Sequence, residues 1–295
     1  MNINNVKGIA LMIGAMAGFA VSDAFIKVLT QTLPAGQILI VSGLLGFIFL
    51  FGIAHLKKRS LTGYFLRLPI FWMRLASDMF SATFIVAALV ITDLSLVSAV
   101  MQCSPLIAAL LASRLLGESL SVTKVCAILV GLFGVLIILK PWSAEVEIGA
   151  LLALLGSVSI ALRDVLTRKM PKDIPSTVLI TYGYLALAPG GLMVFLLKPE
   201  VSEISNQDAF LIFGAAVSGM IAYVMITISA RTAEIVAIAP FRYSRLLFAM
   251  LIGVFIFGES LETSALVGAS LVIGSGLYIF LQEAYKKQRL KSLKQ

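Results

Sequence analysis

Apolar residues in this chain gather into long runs, separated by short stretches that carry the polar residues, prolines and glycines. The runs lie at roughly 8–30, 36–56, 70–91, 96–116, 121–140, 148–168, 176–197, 209–229, 235–257 and 264–282, each near the roughly 20 residues a helix needs to cross the hydrocarbon layer. A barrel would show short segments of alternating polarity instead. Pro34, Pro69, Pro141, Pro175 and Pro199 fall between runs, where helices stop or start. Gly117 and Gly258 stand as C-caps, each before a Glu-Ser pair that can open the next helix. The pattern predicts an all-α integral membrane protein with ten transmembrane helices.

The runs also repeat. At an offset of 141, Gly8, Asp23, Lys27 and Pro34 fall on Gly149, Asp164, Arg168 and Pro175. Gly117-Glu118-Ser119-Leu120 returns as Gly258-Glu259-Ser260-Leu261, Asp93 falls on Glu234, and Thr123 on Ser264. One gap-free offset joining markers at both ends of a long unit signifies duplication. It predicts a first five-helix repeat over 1–141, a second over 142–285, and a basic tail over 286–295. Five is odd, so the second repeat enters the membrane from the opposite side. The expectation is a 5+5 inverted repeat, the architecture that offers two near-equivalent states, one open to each side.

Composition strengthens the membrane reading. The chain is 60% hydrophobic and 13% charged, with a mean hydropathy of +1.03; soluble domains are about 45–50% apolar. The net charge of +8 does not indicate nucleic acid, because the basic residues sit between apolar runs and in the tail Lys286–Lys294. Counted from an inside N-terminus, the inner loops hold Lys57, Lys58, Arg59, Arg67, Lys124, Arg168, Lys169, Lys172 and Arg231. The outer loops hold Lys140 and Lys198 beside Glu145, Glu147, Glu200, Glu203 and Asp208. Both termini are therefore expected in the cytoplasm, with the protein in a bacterial inner membrane. Residues 1–7 run straight into an apolar stretch of spanning length, read as a first helix rather than a cleaved signal. Cys103 and Cys126 lie inside apolar runs and His55 is the single histidine, so neither a disulfide framework nor a metal site is expected. The chain has no GxxxxGK[ST] phosphate loop, and no cofactor is expected.

The segment Ser104-Pro105-Leu106 through Leu116-Gly117-Glu118-Ser119, followed by Gly131 and Gly134, is matched by Ala239-Pro240-Phe241-Arg242-Tyr243 through Phe257-Gly258-Glu259-Ser260. With the duplicated halves, these segments make the chain resemble a ten-helix member of the drug/metabolite transporter superfamily, built from two EamA-type domains. The resemblance covers about 8–282. It implies a transporter, with a substrate drawn from amino acids, nucleotide sugars, other metabolites or drugs. Pro240 lies six residues before the position equivalent to Pro105, which predicts that the two central helices bend at different depths. Pro105 and Pro189-Gly190-Gly191 are expected to break their helices. Gly14, Gly18, Gly43, Gly46, Gly52 and Gly131 are expected to permit close helix contact.

Charges within spans cost about 2.5–3.5 kcal/mol each at a helix centre, so they need a reason. Asp23 with Lys27, and Asp164 with Arg168, are acid–base pairs at i,i+4. Two readings stand: self-neutralising pairs whose basic ends snorkel, or aspartates lining a central cavity. Arg74 and Asp78 form a third such pair without an echo, since the equivalents are Ala215 and Gly219. A charge that breaks the duplication points to specificity. Arg242 and Arg245, whose equivalents are Met101 and Ser104, offer forked donors for carboxylate or phosphate, and Tyr243 adds a ring and a hydroxyl. Positive-inside anchoring is the alternative for both arginines. Glu118 and Glu259 are read as favouring the dipoles of the helices that follow them.

The candidate substrate-binding set is therefore Asp23, Arg74, Asp78, Asp164, Arg242 and Tyr243, with no catalytic residue. The expected function is secondary transport, by alternating access, of a small anionic or zwitterionic metabolite such as an amino acid, with a coupling proton or ion. Asp78 or Asp164 is expected to pair with Arg242 in the empty state. The alternatives are a membrane enzyme acting on lipid substrates, which would need clustered acids or a nucleophile with a base, and a non-transporting scaffold.

Overall fold

The computed structural model describes residues 3–56, 60–117, 122–139, 147–171, 173–232 and 238–292. Lys57, Lys58, Arg59, Glu118, Ser119, Leu120, Lys140, Pro141, Glu145, Lys172 and Glu234 lie outside the described residues, as do the side chains of Lys124, Arg231 and the tail 286–295. The described residues hold helices and no strand. In order these are α1 (Ile3–Leu29), α2 (Ala35–Leu56), α3 (Pro69–Ile91), α4 (Leu94–Met101), α5 (Ser104–Leu115), α6 (Val122–Leu139), α7 (Ile148–Lys169), α8 (Ser176–Leu185), α9 (Leu187–Leu197), α10 (Asn206–Thr232), α11 (Ser244–Phe257) and α12 (Thr263–Ser292). Two 3-10 segments, Tyr64–Arg67 and Ala239–Tyr243, lead into α3 and α11.

Among the described residues, seven segments are long and apolar enough to cross a membrane: α1, α2, α3, α4 with α5, α7, α8 with α9, and α10. Among the described residues, the remaining three apolar runs hold shorter apolar stretches: Val125–Ile138 of the 18-residue α6, Thr263–Tyr278 of the 30-residue α12, and the 14-residue α11. Large apolar side chains face outward along the bundle, among them Ile48, Leu197, Phe255 and Ile256, as lipid contact requires.

Proline explains the interruptions. A helix through Pro105 would need its N–H to bond the carbonyl of Met101, and α4 ends at Met101. Pro189 likewise cannot bond Leu185, where α8 ends. The expectation of bends at different depths is not met. The break at Gln102–Cys103 falls, at the offset of 141, on Tyr243–Ser244, where the 3-10 segment gives way to α11. Pro240 sits in the first turn of that 3-10 segment, where its missing N–H is no loss, and the α-helix takes over at Ser244.

Helix α1 packs along α10 and α3 along α7, while α2 packs on α8 and α9, and α6 on α12. Helix α1 also touches α11, as α7 touches α4 and α5. Exchanging residues at the offset of 141 maps α1–α10 onto α7–α3, α1–α11 onto α7–α5, and the α2–α8, α2–α9 and α6–α12 packing onto itself. Close approach rests on small residues: a Cβ on Gly18 would stand 3.0 Å from that of Ala222, and one on Gly43 would stand 2.9 Å from the Tyr184 carbonyl oxygen. Gly52 departs from expectation, with nothing within 4 Å of the same position. Gly117 and Gly258 adopt positive φ, 69° and 66°, as C-caps should.

Candidate functional site

The helices enclose a cavity of about 610 Å³ between the two halves. It reaches Arg168 near the end of α7, Ser176 at the start of α8 and Thr227 near the end of α10. At the opposite end of the bundle, two contacts tie the halves and neighbouring helices together. The Lys27 ammonium on α1 donates to the carbonyls of Leu89 (2.8 Å) and Thr92 (2.6 Å) at the end of α3. Glu259 accepts from the N–H groups of Leu94 (2.8 Å) and Ser95 (3.0 Å) and from the Ser95 hydroxyl (2.6 Å).

Glu259 therefore caps α4, in the other repeat, and not the helix that follows it, as the sequence had suggested. Asp93 occupies the N-cap position of α4, yet its side chain makes no capping bond. A carboxylate suits orphan N–H groups at a helix start wherever it comes from along the chain. Burial, and then the Glu259 charge, hold the Asp93 carboxyl above its ordinary range.

A network of charges occupies the cavity. Arg74, only 1% exposed, lies 2.9 Å from Asp78 as an ion pair without hydrogen-bond geometry at that oxygen. Arg74 also donates to the Thr167 hydroxyl (2.9 Å), the Leu179 carbonyl (3.3 Å) and the Tyr223 hydroxyl (3.4 Å). Arg163 bridges two acids, 3.7 Å from Asp78 and 2.9 Å from Asp164. Asp164 is shared, because Arg242 also reaches it at 3.4 Å. Arg245 bonds Asp23 at 2.6 Å and lies over the Phe19 ring, 5.2 Å from its centroid. Among the described residues, the lining holds five arginines (Arg74, Arg163, Arg168, Arg242, Arg245) and three aspartates (Asp23, Asp78, Asp164).

Five of the six candidates, Asp23, Arg74, Asp78, Asp164 and Arg242, line this cavity. Tyr243 does not. Its ring packs towards Gly276 of α12, and its carbonyl accepts from Gln102 at 3.3 Å. Gln102 is its repeat equivalent, so the two central breaks meet each other. The Arg74–Asp78 pair forms as expected, and Asp164 is the acid that meets Arg242. The Asp23–Lys27 pair does not form as read: Asp23 turns to Arg245, and Lys27 to the end of α3. Helical spacing offered a partner on the same helix, and tertiary packing brought nearer ones. Arg163 was missed. Its signal was available, because the equivalent residue is Ser22, a charge that breaks the duplication just as Arg242 does.

The sequence profile of the EamA-like transporter family matches this chain twice, over residues 6–140 and 147–281. A riboflavin transporter of Rhizobium johnstonii is 24% identical over 288 residues, covering 96% of this chain and 94% of that protein. A riboflavin transporter of Vibrio cholerae is 26% identical over 197 residues, 66% of this chain and 65% of that protein. The match to this Vibrio relative thus spans slightly under two thirds of its length. An S-adenosylmethionine uptake transporter of Rickettsia conorii is 26% identical over 182 residues, 61% of this chain and 60% of that protein. A crystal structure superposes with a TM-score of 0.66 at 16% identity, over 94% of this chain and 97% of that one. That likeness concerns the fold. The family and these relatives are transporters, not enzymes.

Proposed function

Because the chain belongs to the EamA-like transporter family, we propose that it moves a small anionic or zwitterionic metabolite across a bacterial inner membrane by alternating access. The observation that carries this reading is the cavity between the halves, with its excess of arginine over aspartate. Asp164 holds Arg163 and Arg242 in the empty state, and a substrate carboxylate or phosphate competes for the same guanidinium groups. Asp23 and Asp78 keep Arg245 and Arg74 in place. Tyr243 acts from behind the lining, through the break it shares with Gln102. A coupling proton or ion fits among these aspartates. S-adenosylmethionine, which carries a carboxylate, and riboflavin, which is uncharged, are the ligands named for relatives, and binding of riboflavin alone would count against an anionic substrate.

Arg242→Met tests this reading. Truncating one partner of a buried charge pair costs about 2–5 kcal/mol. The Arg242 side chain is 38% exposed, so screening puts the expected loss at the low end, about 2 kcal/mol or roughly 30-fold in Kd. Arg242→Lys keeps the charge without the fork and should recover part of that loss. Unchanged affinity in Arg242→Met would make the residue an anchor and nothing more.

Ten spans in a 5+5 inverted repeat fit the paired family matches and the exchange symmetry of helix contacts. The division at 141/142, the tail from 286 and cytoplasmic termini complete the proposed topology. Reporter fusions after Gln295 and at Ser205 should report opposite sides; the same side for both would overturn it.

In that orientation the cavity opens towards the cytoplasm, and Glu259 closes the outer end. Losing a helix cap costs about 0.5–2 kcal/mol. Glu259→Ala should therefore shift the population towards an outward-open state. A cysteine replacing Ile26, in a Cys126→Ser background, should then react faster with an impermeant maleimide from outside. An unchanged labelling rate would remove Glu259 from the gate.

A further inference from the structure

We propose that the substrate is a ring-bearing, largely apolar monoanion, longer than alanine or glutamate, held by its charge at Arg163 and Arg242 and by a far hydrogen-bonding group at Ser42. This rests on the transport reading above and narrows it.

The charge follows from the pairing. Arg74 has Asp78 and Arg245 has Asp23, but Arg163 and Arg242 meet at the one carboxylate of Asp164, with Arg163 making a second, longer contact of 3.7 Å to Asp78. For these four arginines and three aspartates, one further negative charge completes the set. Two forked donors facing one position suit a carboxylate or a phosphate diester alike.

The far end has a different chemistry. Helix α2 presents Ile38, Leu39 and Ser42 to the cavity, so Ser42 is its one polar contribution among the described residues. The residue is 6% exposed, and its hydroxyl oxygen is buried with no hydrogen-bond partner. A buried unpaired hydroxyl costs free energy unless something bonds it, and Ser42 lines the cavity from which a ligand group would come. The cavity walls include the apolar side chains of Ile26, Ile85, Val86 and Leu187, broad enough in area to lie against a ring. Ala215 and Ala216 of α10 add short side chains, and at Gly219 the Tyr184 and Ser22 hydroxyls fill the space.

The spacing sets the length. Gly43, next to Ser42, packs at Leu187 and Ala188, twelve residues into the segment that starts at Ser176. Asp164 lies five residues from the end of α7, at the same end of the bundle. Seven residues at 1.5 Å each separate the two poles by roughly 10 Å along the bundle. Alanine or glutamate does not span that distance. The cavity, at about 610 Å³, is within the roughly 300–1,000 Å³ of pockets that enclose drug-sized ligands.

The test uses the full chain in lipid nanodiscs and measures affinity by calorimetry for a graded set of probes. 4′-Hydroxybiphenyl-4-carboxylate carries a hydroxyl about 10 Å from its carboxylate, matching the two poles. It should bind, biphenyl-4-carboxylate about 3- to 10-fold more weakly, and the uncharged 4-hydroxybiphenyl not measurably. The same hydroxybiphenyl ring bearing a monomethyl phosphonate should also bind, and its rank against the carboxylate tells which anion the arginines prefer. Ser42→Ala should abolish the advantage of the hydroxyl while leaving biphenyl-4-carboxylate unaffected. Arg163→Gln should weaken every anionic probe. If benzoate or glutamate binds as tightly as the long probe, or Ser42→Ala leaves the hydroxyl advantage intact, this inference falls and anion transport stands. If no anion of any length binds, both readings fall.

Discussion

Arg74→Met is expected to destabilise the protein by about 3–5 kcal/mol, the cost of breaking a buried charge pair from one side. Arg74 is 1% exposed and supports neighbours on three other helices: Thr167 on α7, Leu179 on α8 and Tyr223 on α10. Once it is removed, Asp78 keeps only the longer contact to Arg163, at 3.7 Å. The charge on Asp78, rather than the missing bonds, makes the loss severe. Arg74→Met combined with Asp78→Leu should therefore recover much of the stability, since a buried pair replaced by apolar residues is often neutral or better. Unfolding of the purified protein by heat or denaturant measures both variants. If the single variant is as stable as the parent, or the double variant is worse than the single, Asp78 is not a charged partner of Arg74.

Asp23→Asn is the second large effect, and it falls on transport. The Asp23–Arg245 ion pair is close, at 2.6 Å, with side chains 12% and 18% exposed. The Nε of Arg245 is buried without a partner, so the guanidinium depends on Asp23 and the Phe19 face. Asparagine keeps the acceptor oxygen and removes the charge. The expected cost is about 2 kcal/mol, near the strength of a hydrogen bond to a charged group, which should leave most of the protein folded. Transport should drop by at least about 10-fold, because an arginine freed of its counter-charge holds an anion too tightly to release it. Asp164→Asn should impair transport in the same way and raise the affinity for anions, since it removes the competitor for Arg163 and Arg242. Loss of folded protein in both variants would favour a structural role for the aspartates. Unchanged uptake or export in both would remove them from the site.

Arg163 and Tyr243 show how far local reading reaches into the site. Broken symmetry was the right criterion for charge: Ala215 against Arg74 and Met101 against Arg242 both led to the cavity. Applied to Ser22 against Arg163, it would have found the central bridge as well. The criterion could not tell which face of a bent helix looks inward. Tyr243 sits beside Arg242 in sequence, yet at the junction of a 3-10 segment with α11 their side chains diverge, one lining the cavity and one turned to Gly276.

The sequence by itself determined the membrane class, the duplication and the places where helices run. Apolar length, proline spacing and a constant offset are properties of the chain, and hydrocarbon thickness and backbone hydrogen bonding leave them few solutions. The breaks at Met101 and Leu185 were legible for the same reason, because a proline four residues on cannot supply the missing N–H. Only the tertiary structure decided who pairs with whom. Asp23 takes Arg245 over Lys27, Lys27 bonds the end of α3, and Glu259 caps a helix that begins 165 residues before it. An ionic side chain buried in a bundle bonds the nearest group of suitable charge, and nearness there is set by helix packing and not by separation along the chain.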